Sequence, residues 1–334
     1  MEYASFTATD NDDGRRLDRI VRRFLPDVPL SAVYKYIRKG LIRLDSKKCT
    51  PNSSVASGMR IDIADFLLHA PGAPSAPSAP GAPSAPGAPA KLPATSPPLL
   101  QPSLDAPLTT EIPQVLLRAK DLVVYNKPAG IPVHGEGGLD RLIGQTAEAS
   151  ASLSFRSGPL HRLDRDTSGL LVFSRTLAGA QWFSARLADH SVKKYYIGIV
   201  CGMLTKDVQW TTPSAAGKPM RTGVHPLVST DTGYTLVQFA LHTGRKHQIR
   251  IQAAEAGCPL YGDHLYGKPV YGQTYSLHAW KLEFPADRFD DIPESLTAPI
   301  PDDFISRLES MFGKNALAQK ENGELYWMQD EELQ

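Results

Sequence analysis

In the first stretch of the chain apolar residues recur at helical spacing. Leu17, Ile20, Val21, Phe24 and Leu25 share one face, while Arg15, Arg19, Arg22 and Arg23 take other positions, a pattern that predicts an amphipathic helix. A second helix is expected after Pro29 and Leu30, with Ser31 as its N-cap, running through Val33, Tyr34 and Ile37 to Gly40. Leu41 to Leu44 then reads as a strand. After a polar turn, Met59 to Ile63 alternates apolar and polar positions as a second strand does.

From about Leu116 to Leu308 strands dominate. Asp121 to Tyr125 reads as a strand that ends in the turn signal Asn126-Lys127-Pro128-Ala129-Gly130. Gly169 to Ser174 is a short apolar run, Lys194 to Cys201, Tyr234 to Leu241 and Ser276 to Phe284 are further strands, and Thr176 to His190 and Lys246 to Ala256 have helical spacing. Many strands and few helices, without strict alternation of the two, predict an α+β fold with a mainly antiparallel, mixed sheet.

Between Ala70 and Pro102 the pattern disappears. Gly-Ala-Pro-Ser-Ala-Pro units repeat there, and 11 of the 28 prolines fall in this window. Proline at every third position blocks helix and sheet pairing and favours an extended spacer, which at about 3.1 Å per residue spans on the order of 90 Å. The expected organisation is a small module at 1–69, a linker at 70–110, a large module at 111–314 and an acidic tail at 315–334.

A net charge of +1 conceals an uneven distribution. Between Asn11 and Thr50 there are 11 Lys or Arg against 5 Asp or Glu, a surplus that suits a polyanionic partner or a solvated helix face. Cys49, Cys201 and Cys258 are three scattered thiols, which argues for a reducing compartment. The chain opens without a basic segment leading into an apolar one, and no run of 18 apolar residues exists, so a cytoplasmic protein without a membrane partner is expected. The nine histidines form no ligand spacing, so no metal is expected. Gly262 to Lys268 begins like a phosphate-binding loop, but Pro269 stands where that loop needs Ser or Thr.

Four segments carry chemistry. In His161-Arg162-Leu163-Asp164-Arg165-Asp166-Thr167-Ser168-Gly169, a carboxylate among basic neighbours precedes a buried strand and stays ionised at neutral pH, or is simply a structural ion pair. Lys127 to Gly130 is a rigid turn that could hold a lysine near a phosphate. In Lys193 to Gly202 either Tyr195 or Tyr196 could face a cleft and stack on a base. Thr243-Gly244-Arg245-Lys246-His247-Gln248-Ile249-Arg250 puts four nitrogen-rich side chains at a helix start, suited to an anion.

In order, Lys-Pro-x-Gly, His-Arg-Leu-Asp-x-x-Thr-Ser-Gly-Leu-Leu, Lys-x-Tyr with Val-x-Gly, Thr-Gly-Arg-x-His-Gln-Ile-Arg, Gly262-Asp263, Tyr266-Gly267 and Leu277-His278-Ala279 resemble the RluA-type RNA pseudouridine synthases. The small module, through Gly14-x-Arg16-Leu17-Asp18, Leu30-Ser31, Ile37 to Gly40 and Gly58-Met59-x-Ile61, is similar to an S4 RNA-binding domain. Together they resemble RluC-like members, which act on large-subunit ribosomal RNA. Lys246 and Gln252 depart from the residues usual in that family, and the long linker is unusual for it.

The resemblance implies a cofactor-free, monomeric isomerase acting on RNA, with large-subunit rRNA or its precursors as the expected substrate. It implies that Asp164 is the catalytic aspartate, Arg250 its ion-pair partner, and Tyr196 the residue that stacks on the uracil and assists removal of the C5 proton. Arg162 would fill the gap left by a flipped nucleotide. His161, Lys127, Arg245 and His247 would bind RNA near the site, and Arg16, Lys35, Arg38, Lys39 and Arg43 would bind it on the small module.

Overall fold

A computed structural model of the chain describes residues 1–69, 112–144, 152–270, 273–313, 317–319 and 325–327. The expected linker at 70–110 lies outside the described residues. Of the expected acidic tail, Leu317–Gln319 and Leu325–Trp327 pair as a two-stranded antiparallel ladder. The chain divides into two units: Met1–Thr110 with Ser152–Ser154, and Glu111–Ala151 with Phe155–Gln334.

In the first unit, β1 (Tyr3–Thr7), α1 (Leu17–Phe24), α2 (Leu30–Arg38), β2 (Ile42–Leu44), β3 (Lys47–Lys48) and β4 (Arg60–Ala64) follow in chain order, and the strands form an antiparallel sheet ordered β1-β4-β2-β3. The helical stripe read from the sequence is the packing face. Leu17, Ile20 and Val21 of α1, with Leu25 just beyond its end, meet Val33 and Ile37 of α2 and Ile42, Ile61 and Ile63 of the sheet, all buried. Each such side chain gains about 1.5–3 kcal/mol from leaving water. Ser31 is not the N-cap: Pro29 holds that position with φ −57° and ψ 143°, because its ring presets the angle the entry to α2 needs. Asp12 is fully buried and accepts hydrogen bonds from Thr9, Leu153 and Ser154 amides and from Thr9, Ser152 and Ser154 hydroxyls. Burial works against its charge, yet these donors hold its pKa down to about 2.

In the second unit, β5 (Val115–Arg118), β6 (Leu122–Lys127), α3 (Leu139–Gly144), β7 (Ser168–Ser174), α4 (Leu177–Ala188), β8 (Lys193–Cys201), β9 (Val208–Pro213), β10 (Pro219–Ser229), β11 (Tyr234–Leu241), α5 (Gln248–Glu255), β12 (Leu277–Glu283), β13 (Ser295–Thr297) and α6 (Asp302–Phe312) follow in order. Eight strands make a sheet ordered β9-β10-β11-β8-β12-β7-β6-β5, with β13 as a ninth beside β12. Every pairing is antiparallel except β12 with β7. The unit is therefore α+β with a mixed sheet, as its sequence pattern predicts.

Alternation sends neighbouring residues of each strand to opposite faces. Val123 and Tyr125 of β6, Leu171 and Phe173 of β7, Tyr196 and Val200 of β8, and Val237 and Phe239 of β11 build one core with Leu163 and Ile249. On the other face Leu122, Val124, Leu170 and Val172 pack with Phe183 of α4, while Ile197, Ile199 and Leu236 pack with Phe304 and Leu308 of α6. Leu163 and Ile249 adjoin Asp164 and Arg250 in sequence, so the first face carries the candidate site. No helix among the described residues is long and apolar enough to cross a membrane.

Candidate active site

Where β7 and β12 run parallel, Ser168 pairs with His278 and Gly169 with Ala279. Gly169 has φ +107°, and a Cβ there would lie 2.2 Å from the Ala279 carbonyl oxygen, so only glycine admits this approach. The loop that enters β7 at this pinch carries Asp164. Its turn closes through the Thr167 amide, which donates to the Asp164 carbonyl at 3.2 Å.

Asp164 lines a cavity of about 540 Å³, together with Arg162, Tyr196, Arg245, His247 and Arg250. That volume lies within the range of pockets that take a small organic ligand. The Asp164 carboxylate is 14% exposed, with Arg250 Nη1 at 3.8 Å from Oδ2 and His247 Nε2 at 3.7 Å from Oδ1. Tyr196 is buried, and burial, then the charge of Asp164, push its hydroxyl pKa well up, so it stays protonated.

Arg250 is the third residue of α5 and is itself buried. Its stronger partner is Asp263, fully buried, which takes Nε at 2.6 Å and Nη2 at 2.8 Å. Tyr275 lies beneath the guanidinium at 4.3 Å and Tyr266 at 5.1 Å from their ring centres. Burial opposes the charge of Arg250, but Asp263 outweighs it and raises the pKa further. His247 precedes α5 in the left-handed region at φ +54°, with Nδ1 2.9 Å from the Tyr266 hydroxyl. Burial lowers its pKa, with Asp164 acting in the opposite sense.

The structure corrects the expectation for Lys127. Expected to bind RNA, it is instead wholly buried at the end of β6, and Nζ donates to the carbonyls of Pro128 at 2.9 Å, Arg165 at 2.7 Å and Thr167 at 2.8 Å. Two of those carbonyls belong to the Asp164 loop, so Lys127 ties that loop to the sheet. Desolvation brings its pKa down to about 7, while the carboxylates of Asp166 and Asp164 work the other way. His161 also has a structural engagement, since Nε2 accepts from the Val172 amide at 3.1 Å and the ring lies against Phe183. Burial, with the ammonium of Lys194 adding to it, pulls the His161 pKa down to about 3.

Arg162 and Arg245 are exposed at the cavity. The other expected RNA-binding residues lie in the first unit. Lys35, Arg38 and Lys39 are exposed at the C-terminal end of α2 at spacings of three and four, so they share a face. Arg16 is exposed and paired with Asp18 at 2.6 Å. Arg43 is half-buried, donates to the Gly40 carbonyl at 3.0 Å and covers the Tyr3 ring.

Asp263, Tyr266 and Tyr275 have no role in the sequence reading, although Gly262-Asp263 and Tyr266-Gly267 stand among its motifs. Their function is visible only once the loop before β12 folds back onto α5.

Residues 121–255 match a family described as RNA pseudouridylate synthase, a stretch that includes Asp164, Tyr196 and Arg250. Over 91% of this chain and 87% of the relative, the sequence is 27% identical to ribosomal large subunit pseudouridine synthase D of Nitrosomonas europaea. It is 28% identical to ribosomal large subunit pseudouridine synthase C of Vibrio vulnificus, over 89% of this chain and 93% of the relative. A solved structure of human RNA pseudouridylate synthase domain containing 4 aligns at 24% identity and a TM-score of 0.49, over 58% of this chain and 91% of the other.

Proposed function

We propose that the chain is an RNA pseudouridine synthase of the RluA family, RluC-like, which isomerises specific uridines of large-subunit ribosomal RNA with Asp164 as its catalytic carboxylate. In the reaction the N1–C1′ bond of uridine breaks, the uracil turns over, and a C5–C1′ bond forms. The proton on C5 leaves and N1 gains one, so atoms and electrons balance without an external reagent.

The observation that carries this reading is that Asp164, Tyr196 and Arg250 line one and the same cavity. A carboxylate with a guanidinium at 3.8 Å is poised to act on the ribose of a nucleotide held there. Arg250, locked by Asp263, orients that carboxylate. The buried, protonated Tyr196 offers a ring for the uracil to stack on and a hydroxyl near the base whose C5 proton is lost. Arg162, exposed at the mouth, is placed to occupy the gap that a flipped nucleotide leaves.

The first unit resembles an S4 domain, and its exposed Lys35, Arg38 and Lys39 support a role in binding RNA. Arg245 and His247 are placed to meet RNA at the cavity, and the chain works as a cytoplasmic monomer. The names of the similar C and D synthases support ribosomal RNA as the substrate.

The test is pseudouridine mapping of large-subunit rRNA transcripts incubated with the purified chain or with Asp164→Asn. The wild type is expected to modify a few defined uridines and the variant none. Full activity of Asp164→Asn would remove that residue from the chemistry, and release of free uracil would make the enzyme a glycosidase.

A further inference from the structure

Two residues before Tyr196 on β8, Lys194 projects to the same face of the sheet, and both side chains line the cavity. Lys194 is half-buried, and its ammonium has no hydrogen-bond or ion-pair partner among the described residues. The nearest carboxylate on the strand pairing, Glu283, is occupied by Lys281 at 2.9 Å, by the Tyr195 hydroxyl at 3.1 Å and by Lys193 at 3.6 Å. Desolvation lowers the Lys194 pKa with nothing to offset it. A cation kept out of water without a counter-ion is costly, and a ligand anion would relieve that cost.

Lys194 lines the cavity together with Asp164, and it also lines a further space that Asp164 does not. At the Lys194 end a second hollow of about 120 Å³ begins. Lys194, His190 and Leu241 line both spaces, and Lys193 and His242 line the smaller one alone. Gly244 flanks the ammonium: a Cβ there would stand 3.4 Å from Nζ, so the bare backbone leaves the approach open.

We propose that Lys194 and the hollow it shares with His190 form a subsite for a backbone phosphodiester adjoining the reacting uridine, along which the RNA strand leaves the cavity. This subsite rests on the reading of the chain as an RNA-modifying enzyme. It gives the enzyme two anchors on the substrate: the ribose at Asp164 and a neighbouring phosphate at Lys194.

The experiment measures RNA affinity against salt concentration, and turnover at saturating RNA, for wild type, Lys194→Met and Lys194→Arg. Losing one phosphate contact lowers the slope of log affinity against log salt by about 0.7–0.9. Lys194→Met is expected to show that drop, an affinity weaker by about tenfold at low salt, and a kcat within about twofold of wild type. Lys194→Arg restores the slope. The melting temperature of Lys194→Met stays level or rises, because an unpaired buried charge has been removed. An unchanged slope and affinity in Lys194→Met overturns the subsite, and so does a loss of kcat or of melting temperature with the slope intact. The functional reading is judged separately, by whether the wild type makes pseudouridine in rRNA, since salt-dependent binding is read without turnover.

Discussion

Arg250 meets Asp263 through two hydrogen bonds, at 2.6 and 2.8 Å, and reaches Asp164 with its remaining Nη1 at 3.8 Å. The arginine that faces the proposed catalytic carboxylate is thus aimed by a second, deeper carboxylate, which also accepts the Leu265 and Tyr266 amides. Asp263→Asn keeps the shape of this contact and removes its charge. We expect kcat to fall by about 10–100-fold, an increase of about 1.4–2.7 kcal/mol in the barrier, with little change in KM for RNA. Asp263→Ala leaves a buried guanidinium uncompensated and is expected to cost about 3–5 kcal/mol of stability. Steady-state kinetics paired with urea unfolding checks both.

The unequal legibility of these partners has a physical basis. Strands whose two faces are both buried, such as Ser168–Ser174, announce themselves as apolar runs, and Tyr234–Leu241 begins and ends where its pattern predicts. The hairpin of β9 and β10 does not. Val208–Pro213 is mostly exposed and polar, and Pro219–Ser229 contains two prolines, so nothing local distinguishes them from loops. Asp164, Tyr196 and Arg250 are legible as motif residues because their neighbours in sequence mark them. Lys127 misleads for the opposite reason: a lysine before Pro-Ala-Gly reads as an exposed turn, and its burial depends on the carbonyls of Arg165 and Thr167, distant in sequence, together with that of Pro128. Asp263 is silent because its partner lies on another element.

Gly169 stands at the pinch between the parallel strands, and its conformation and its surroundings both exclude a side chain. Gly169→Ala is expected to destabilise the second unit by more than about 3 kcal/mol, because the Ala279 backbone cannot move without breaking the sheet. Gly217→Ala is the control: φ is +71° there, but nothing lies within 4 Å. The strain of φ alone should cost about 1–2 kcal/mol. Equal losses in the two variants, by denaturant unfolding, would show that the approach to Ala279 is unimportant.

His161 couples the same region to pH. Its folded pKa is about 3, against 6.5 for the free side chain. The unfolded chain therefore binds more protons between those values, so stability rises with pH across the window and is lost as pH falls from about 6.5 toward 3. The shift corresponds to on the order of a few kcal/mol. His161→Gln, which does not titrate, should flatten the melting temperature between pH 6.5 and 4 relative to wild type. The acid sensitivity that remains is expected from His278, whose burial lowers its pKa to about 4. An identical pH dependence in wild type and His161→Gln would show that this imidazole is not buried neutral.

Lys127 separates two explanations of a basic residue in a motif. If it bound RNA, Lys127→Met would weaken affinity and lower the salt slope by about 0.7–0.9. Buried under the Asp164 loop, it should do neither. Removing its three hydrogen bonds frees the Arg165 and Thr167 carbonyls, and a displacement of about 1 Å in the carboxylate they flank can cost about 100-fold in rate. We therefore expect Lys127→Met to lose about that much kcat with RNA affinity within about twofold. Titration makes the same distinction. The pKa falls from 10.5 to about 7 on folding, so between those values the unfolded chain holds the extra proton and stability rises with pH. Over the same window the neutral amine has two hydrogens for three carbonyls, and the hold on the loop weakens. Wild-type kcat should decline above about pH 7 while the melting temperature does not, and Lys127→Met should lack that alkaline limb. Rate profiles of the two proteins at saturating RNA decide it, and a limb that survives in Lys127→Met would assign the titration to another group.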